Sequence, residues 1–214
     1  MADLTTYEGL KAAVADYLGR DDLGERIPTF IRLAEKRMER ELRLRAMERR
    51  AECAVKPAQS AVPLPWRRES GNWDVFLELR DVAWRGADGF VHDLGYAPLD
   101  HYAVSREPGR PLGYSVVGRE LFLLPAPAEE GTLLITYYAE IPPLSEAQPD
   151  NAVLLAAPDV YLYGALTESG PFTRGSAPTE LWAQYYAAAR SRLELAEQRA
   201  RYSANLSMRP ARRI

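Results

Sequence analysis

Residues 157–172 read APDVYLYGALTESGPF, and the helix within this stretch decides the fold. Pro158 and Asp159 suit its first turn, because proline needs no hydrogen bond there and an acid faces the positive end of the helix dipole. From residue 160 to residue 166 every position is apolar or glycine, so the helix has no polar face. Such a helix must be enclosed, either in the core of its own subunit or between subunits.

An amphipathic helix is predicted in LTTYEGLKAAVADYLGR, residues 4–20. Thr5 and Glu8 form a capping box, in which each side chain satisfies an unpaired N–H of the first turn. Gly19 then ends the helix. Its apolar face consists of Leu10, Val14, Tyr17 and Leu18.

A second helix is predicted to start near Pro28. Its apolar stripe consists of Ile27, Phe30, Ile31, Ala34, Met38 and Leu42. Its other face, EKRMERELRLR at residues 35–45, offers the pairs Glu39–Arg43 and Glu41–Arg45 at the favourable helical spacing. We interpret this charged run as a solvated helix face.

A last helix is predicted from Ser176 and Pro178 to about Tyr202. Its apolar stripe consists of Trp182, Tyr185, Ala189, Leu193 and Ala196. The helices at each end of the chain are too few to fold well alone. We therefore expect them to form one bundle together.

The middle of the chain indicates β-structure. Of the 16 prolines, 11 lie between Pro57 and Pro149, a density that long helices do not tolerate. Short alternating runs predict strands at Ala51, Cys53 and Val55, at Val75, Leu77 and Leu79, and at Ile135 and Tyr137. In GYSVVGRELFLLP, residues 113–125, Gly118-Arg119 is a two-residue hairpin turn between two apolar runs.

These patterns predict an α+β fold in which a small antiparallel β-region, sandwich-like or barrel-like, is inserted into a helical bundle. Residues 1–47 supply the first helical pair and residues 48–149 the β-rich region. Residues 150–202 supply the last helices, and residues 203–214 form a basic, extended arm.

Composition excludes several classes of protein. Against 30 acidic residues stand 27 basic ones, so the net charge of −3 gives no global attraction to nucleic acid or anionic membranes. The single cysteine, Cys53, rules out an intramolecular disulfide. The sequence has no signal-peptide pattern and no apolar run near the roughly 20 residues that span a bilayer. We expect a soluble protein made in the cytoplasm.

No motif in the sequence indicates catalysis. The glycine-containing stretches lack phosphate-loop spacing, and GYSVVG lacks the second glycine of a nucleophile elbow. His92 and His101 each adjoin an aspartate, Asp93 and Asp100, but their nine-residue separation matches no common metal-ligand spacing. We expect loop histidines bonded to their neighbouring aspartates, and neither metal, cofactor nor enzymatic activity.

The C-terminal stretch RYSANLSMRPARRI, residues 201–214, contains four arginines and no acid. Elsewhere the arginines of residues 43–50 are diluted by glutamates, and no nucleic-acid recognition motif is present. The basic arm therefore needs a partner of another kind, or it is a fraying tail.

Nearly the whole chain resembles head-to-tail adaptor (connector) proteins of tailed bacteriophages. The resemblance rests on three stretches: LTTYEGLKAAVADYLGRDDLGERIPTFIRLAEKRMERELRLRAMERRA at residues 4–51, APDVYLYGALTESGPF at residues 157–172, and LWAQYYAAARSRLELAEQRARYS at residues 181–203. These are packing patterns of helices rather than catalytic signatures.

The resemblance implies a ring, typically a dodecamer, that lies under the portal at the capsid vertex. Genome DNA would pass through its centre without sequence-specific binding, tail or stopper proteins would attach below, and no membrane would be involved. The implied portal-docking residues are Arg201, Leu206, Met208, Arg209, Arg212, Arg213 and Ile214. The implied subunit-interface residues are Tyr161, Tyr163, Trp182 and Tyr185.

Two alternatives remain open at this point. The chain could be another virion assembly protein, such as a tail terminator or completion subunit. It could also be an accessory protein that binds DNA through the arginine-rich tail, in which case it would retard duplex DNA with a steep salt dependence.

Overall fold

The computed structural model describes residues 3–65, 75–99, 107–173, 175 and 177–202. Helices and antiparallel sheets are both present, which confirms the predicted α+β class. The chain divides into two compact units, a helical unit of residues 1–46 and 141–214 and a β unit of residues 47–140. Residues 141–149, which we assigned to the β-rich region, thus lie in the helical unit.

The helical unit contains two longer helices before the β unit and a run of helices after it. They are α1 (Tyr7–Leu18), α2 (Ile27–Glu41), α3 (Ala152–Ala156), α4 (Pro158–Glu168), α5 (Gly170–Thr173) and α6 (Thr179–Tyr202). Short 3₁₀ turns at Asp21–Arg26 and Arg45–Met47 precede α2 and the first strand.

Helix α4 is the segment that we predicted to be enclosed, and it lies against α1, α2 and α6. Its buried residues point in every direction around the axis: Val160, Tyr161, Leu162, Gly164, Ala165 and Leu166. Gly164 allows the closest approach, because a Cβ there would lie 3.2 Å from the Cβ of Ala34 and 3.4 Å from the ring of Tyr186. The enclosure is therefore provided by the core of the subunit itself.

Helix α2 carries the predicted apolar stripe, and all six of its residues are buried. The interpretation of residues 35–45 as a solvated face is wrong, because the side chains of Glu35 and Glu39 are buried as well. The helix also ends at Glu41, so Arg43 lies beyond the helix on which we placed its pairing with Glu39. Arg43 donates to the carbonyl oxygens of Glu39 and Leu42, which the helix end leaves unpaired.

The N-terminal cap of α1 differs from the prediction, and its C-terminal cap agrees with it. Thr6, rather than Thr5, is the N-cap, and its hydroxyl accepts from the N–H of Gly9 at 3.2 Å. Thr5 instead donates its hydroxyl to the carboxylate of Asp3. At the other end Gly19 takes the left-handed conformation with φ 57°, which confirms the predicted stop.

Helix α6 begins and ends where the sequence predicted, but its buried stripe is partly different. Trp182 and Ala189 are buried as expected, whereas Tyr186 replaces Tyr185 on the buried side. Both tyrosines fit helical spacing; Tyr186 faces inward because its hydroxyl finds an acceptor in Glu41 at 2.9 Å. After Ala189, no described side chain of α6 is fully buried.

Within the described residues, the β unit consists of two four-stranded sheets. The strands are β1 (Glu48–Val55), β2 (Ala61–Pro63), β3 (Phe76–Arg85), β4 (Val91–Asp93), β5 (Gly95–Tyr96), β6 (Gly113–Val117), β7 (Glu120–Leu124) and β8 (Gly131–Ala139). The first sheet has the order β1-β8-β3-β4 and the second the order β2-β7-β6-β5. All pairings are antiparallel except β5 with β6.

One apolar cluster fills the space between the sheets, which is a sandwich arrangement. From the first sheet it includes Val82, Trp84, Leu133 and Ile135, and from the second Val62, Leu121 and Leu123. Ala51 and Cys53 pack against this cluster, as their alternation predicted. The hairpin of β6 and β7 turns at Gly118-Arg119 with φ 61° at the glycine, which confirms the predicted turn.

Among the described helices, none combines the length and the apolar character that crossing a bilayer requires.

Candidate assembly surface

Three tyrosines from three helices meet on the surface of the helical unit. The rings of Tyr163 on α4 and Tyr185 on α6 lie 5.1 Å apart, measured between centroids, and are inclined by 50°. Tyr17, on the last turn of α1, lies beside Tyr163. We call Tyr17, Tyr163 and Tyr185 the tyrosine face.

The exposure of these side chains distinguishes the tyrosine face from ordinary core. Tyr17 is 52% exposed and Tyr185 is 45% exposed, while Tyr163 between them is partly covered. Burial, followed by the neighbouring Tyr17, raises the pKa of Tyr163, so its hydroxyl stays protonated at neutral pH. The result is an aromatic surface, a composition that is typical of protein interfaces.

The other two predicted interface residues do not reach the surface. Trp182 is buried in the helical unit, and Tyr161 has no exposed area. The Tyr161 hydroxyl accepts a 2.6 Å hydrogen bond from the side-chain amide of Asn151. Tyr161 and Trp182, which we assigned to a subunit interface, are therefore core residues. Tyr161 was misassigned because a helix that is apolar all round does not reveal which residue faces outward.

Asn151 connects that buried tyrosine to the start of α3. Its carbonyl oxygen accepts from the N–H groups of Val153 and Leu154, and its amide also donates to the carbonyl of Pro142 at 2.8 Å. Burial raises the pKa of Tyr161 well above its ordinary value. The group is a polar network in the core whose hydrogen bonds are made within the protein.

The C-terminal half of α6 is held by polar contacts instead of by packing. Glu197 accepts from the backbone N–H of Arg45 at 2.9 Å and from its guanidinium at 3.1 Å. Burial alone would raise the pKa of Glu197, but these bonds from Arg45 outweigh it and lower the pKa. One turn further on, Arg201 donates to the carbonyl of Arg43 at 3.3 Å.

Arg201 therefore belongs to the last turn of α6 and contacts the protein's own backbone, although we placed it among the docking residues. The other residues of the predicted arm lie outside the described residues: Leu206, Met208, Arg209, Arg212, Arg213 and Ile214. What the structure does describe is the helix end from which the arm continues. We call the contacts of Arg45 with Glu197 and of Arg201 with Arg43 the α6 latch.

An exposed aromatic surface of this kind is common where proteins contact one another. A family model described as SU10 adaptor protein matches residues 5–213. The chain belongs to the SU10 adaptor protein family. It is thus a phage head-to-tail adaptor, as the resemblance indicated, and a structural component of the virion that assembles with portal and tail proteins. No curated protein matches the chain.

The β unit of this adaptor contains a cleft of about 220 Å³ that includes His92. His92 lies on β4 rather than in a loop, and its partners are not aspartates. Its Nε2–H donates to the carbonyl of Pro111 at 2.8 Å, and its Nδ1 accepts from Arg110 at 2.9 Å. Both ring nitrogens are therefore used by the protein itself. His101 and Asp100 lie outside the described residues.

The other groups considered for chemistry are the thiol of Cys53 and possible clusters of metal-binding side chains. Cys53 packs against the sandwich core, and burial raises the pKa of its thiol, which keeps the sulfur in its less reactive protonated form. In the part of the adaptor that the structure describes, no group of three or more His, Cys, Asp or Glu side chains could hold a metal ion. We expected neither a metal nor a cofactor, and this stays a prediction.

Tyr17 is the residue of this surface that the sequence analysis missed. It was assigned to the apolar face of the first helix, because its spacing from Leu10 and Val14 is helical. Leu10 and Val14 are indeed buried, whereas Tyr17 lies at the end of α1 and half of its surface is open. Its position two residues before the helix stop at Gly19 was a signal that packing ends there.

Proposed function

We propose that the adaptor forms a closed ring beneath the portal, in which the tyrosine face of one subunit contacts the next subunit. The ring links the capsid to the tail and surrounds the channel through which genome DNA leaves. Twelve copies is the stoichiometry that the resemblance implies. Downstream tail or stopper proteins bind the opposite end of the ring.

The tyrosine face is the observation that carries this proposal. Exposed aromatic rings that are held rigidly by their neighbours give a large contact area at a small entropic cost. The ring of Tyr163 packs against the ring of Tyr185 and lies beside Tyr17, so little side-chain freedom is lost when a second subunit covers them.

The α6 latch supports a second contact, between the arm and the portal. Because the end of α6 is pinned by Glu197 and Arg201, the arm leaves the helical unit from a fixed point. Arg209, Arg212 and Arg213 would supply charge-assisted hydrogen bonds to acidic groups of the portal, and Leu206, Met208 and Ile214 apolar anchors.

The weak overall charge fits a channel that DNA passes through. A net charge of −3 gives no strong attraction to phosphates, so DNA would slide past rather than bind. A DNA-binding accessory protein would behave differently: it would retard duplex DNA at low salt and release it steeply as salt rises. We expect no retardation by the adaptor.

Assembly on purified portal rings tests the proposal. Tyr163→Glu and Tyr185→Glu would place a charge in the contact and should strongly reduce the formation of adaptor rings, counted by electron microscopy and by native mass spectrometry. Leu195→Glu is the matched control, since Leu195 is also about half exposed on α6 but lies away from the tyrosine face. Circular dichroism should show all three variants folded. Normal ring formation by both tyrosine variants would contradict the proposed contact.

A further inference from the structure

The outer face of the first sheet is charged, and most of its charges are paired within the sheet. Arg80 on β3 contacts Glu48 on β1, across the intervening β8, and also Asp81 beside it. Arg85 on β3 bonds to Glu52 on β1 at 2.8 Å. These bridges neutralise the middle of the face.

Two opposite charges remain, one at each edge of the same sheet. Arg50 lies on β1 and Asp93 on β4; among the described strands, β1 has only β8 as a neighbour and β4 has only β3. Within the described residues, no carboxylate pairs with Arg50 and no cation pairs with Asp93. The sheet therefore has a positive edge and a negative edge.

The two edge strands have directions that allow them to pair between copies. Each neighbouring pair in the order β1-β8-β3-β4 is antiparallel, so β1 and β4 run in opposite directions. If a second copy is placed beside the first in the same orientation, its β1 adjoins β4 of the first copy and is antiparallel to it. The combined sheet would continue with regular antiparallel pairing.

In one register of this pairing, inward-facing side chains lie opposite one another and so do outward-facing ones. His92 pairs with the buried Trp84, so it faces the sandwich core, as Ala51 does on β1. When His92 lies opposite Ala51 of the second copy, Asp93 lies opposite Arg50 on the outer face. A shift of one residue would place inward and outward side chains together, which the pleat does not allow.

We propose that β4 of one adaptor subunit pairs with β1 of the next, and that Asp93 and Arg50 form an ion pair across this junction. The partner is a second copy of the chain. This inference rests on the proposed ring, and it adds the direction in which subunits follow one another. The contact is heterologous, because two different edges meet, and heterologous contacts generate rings when the rotation closes.

β1 pairs regularly with β8, and this favours pairing of its other edge, which no described strand occupies, with a second copy. Its eight residues pair with β8 without a register shift, whereas the pairing of β3 with β8 is interrupted twice. Proteins commonly protect a long edge strand with a proline or a bulge, and β1 has neither. The three residues of β4 make the junction short, so it contributes direction more than area.

Charge reversal with rescue tests the ion pair. Arg50→Asp and Asp93→Arg each place like charges opposite one another, which should raise the subunit concentration for half-assembly by about fivefold or more. The double variant Arg50→Asp/Asp93→Arg restores opposite charges and should assemble nearly as the wild type does. Glu120→Arg is the matched control, because Glu120 is exposed on β7 of the other sheet. Equal loss in the double variant would contradict the pair.

Cross-linking separates this inference from the proposed function. In a Cys53→Ala background, Arg50→Cys/Asp93→Cys rings should give a ladder of covalent oligomers on non-reducing gels, and neither single cysteine variant should cross-link. Rings that form on the portal without a ladder would overturn the β1–β4 junction and leave the ring intact. Dimers from a single cysteine variant would show a two-fold contact and also overturn it. Absence of rings altogether would contradict the proposed function itself.

Discussion

The hydroxyl of Tyr186 on α6 donates a 2.9 Å hydrogen bond to the carboxylate of Glu41 at the end of α2. The same carboxylate accepts from Arg37 at 3.1 Å and from Arg190 at 2.9 Å, and the Arg37 guanidinium stacks on the ring of Tyr186. One acid thus connects the two long helices of the helical unit. Burial opposes its ionisation, but the three hydrogen bonds outweigh burial and lower the pKa of Glu41.

Removing the Glu41 charge should destabilise the helical unit. Hydrogen bonds to a charged group contribute about 1.5–3 kcal/mol each, so Glu41→Gln should lower the free energy of unfolding by about 2–3 kcal/mol after partial compensation by the amide. Tyr186→Phe removes one bond and should cost about 1–2 kcal/mol. Urea unfolding measures both changes. Glu146→Gln, at an exposed position, is the control and should be near neutral; equal effects at all three positions would contradict the network.

The pH dependence of stability should have two opposite contributions. Burial raises the pKa of Glu35 above its ordinary value, against the opposing bonds from the N–H of Leu144 and from Arg32. The folded state therefore holds this proton more tightly than the unfolded state, and stability falls as pH rises above the ordinary value of 4.5 until the folded pKa is passed. Glu41 acts in the other direction: its contribution is present above 4.5 and is lost as pH falls through its lowered pKa.

Two substitutions should separate these contributions. Glu35→Gln should remove the decrease in stability above about pH 4.5, and Glu41→Gln should remove the decrease below it. The measurement is urea unfolding at a series of pH values from about pH 3 to about pH 8. An unchanged slope in both variants would mean that other groups dominate the titration.

A glycine at the start of β8 should be essential to the sandwich. A Cβ at Gly131 would lie 2.2 Å from the Trp84 ring, which is itself buried. Gly131→Ala should lower the free energy of unfolding of the β unit by about 2–4 kcal/mol, several times the effect of an ordinary surface substitution. Gly95→Ala is the control, because no atom lies within 4 Å of a Cβ there. Near-UV circular dichroism and thermal unfolding compare the two, and similar melting temperatures would show that Trp84 moves aside easily.

The α6 latch gives a local prediction. Arg45→Ala or Glu197→Gln should accelerate amide hydrogen exchange in the C-terminal half of α6, since no described side chain there is fully buried. Global stability should change by less than about 1 kcal/mol, because Arg45 is half exposed. Arg192→Ala, on the exposed side of the same helix, is the control. Unchanged exchange in the latch variants would show that the helix end needs no latch.

Periodicity was sufficient to predict the helices but not their partners. The apolar stripe of α2 and the ends of α4 and α6 follow from spacing and from proline and glycine. Whether Tyr185 or Tyr186 is buried depends on Glu41, the hydrogen-bond partner of Tyr186. These two residues are 145 positions apart in the sequence. The burial of Glu35 likewise depends on the N–H of Leu144, 109 residues along the chain. Such distant partners cannot be inferred from local pattern.

The candidate surfaces were predictable only in part. Tyr163 and Tyr185 were expected at a subunit interface from the resemblance to head-to-tail adaptors, and the structure places their rings together near the surface. The positive and negative edges of the sheet could not be anticipated, because Arg50 and Asp93 become distinct only when Arg80 and Arg85 are seen to neutralise the charges between them. Strand order, which the sequence does not reveal, decides which charges remain.

The last prediction concerns the arm, residues 203–214. Its arginines have no acids among them, so they repel one another, and the apolar residues between them are too few to offset an ordering cost of about 1–2 kcal/mol per residue. On an acidic surface of the portal, charge-assisted bonds of about 1.5–3 kcal/mol each would offset that cost, with Ile214 as a terminal anchor.

Deletion of residues 205–214 should therefore leave a folded subunit that no longer joins portal-bearing capsids. Reversing the charge of Arg212 and Arg213 should have the same effect more weakly, and added salt should weaken capture of the intact adaptor. Co-sedimentation with portal-bearing capsids, followed by counting of tailed particles, measures this. Tyr163→Glu is the informative contrast: it should still bind the portal through its arm but fail to close a ring. Normal yields of tailed, infectious particles from the truncated adaptor would exclude a docking role for the arm.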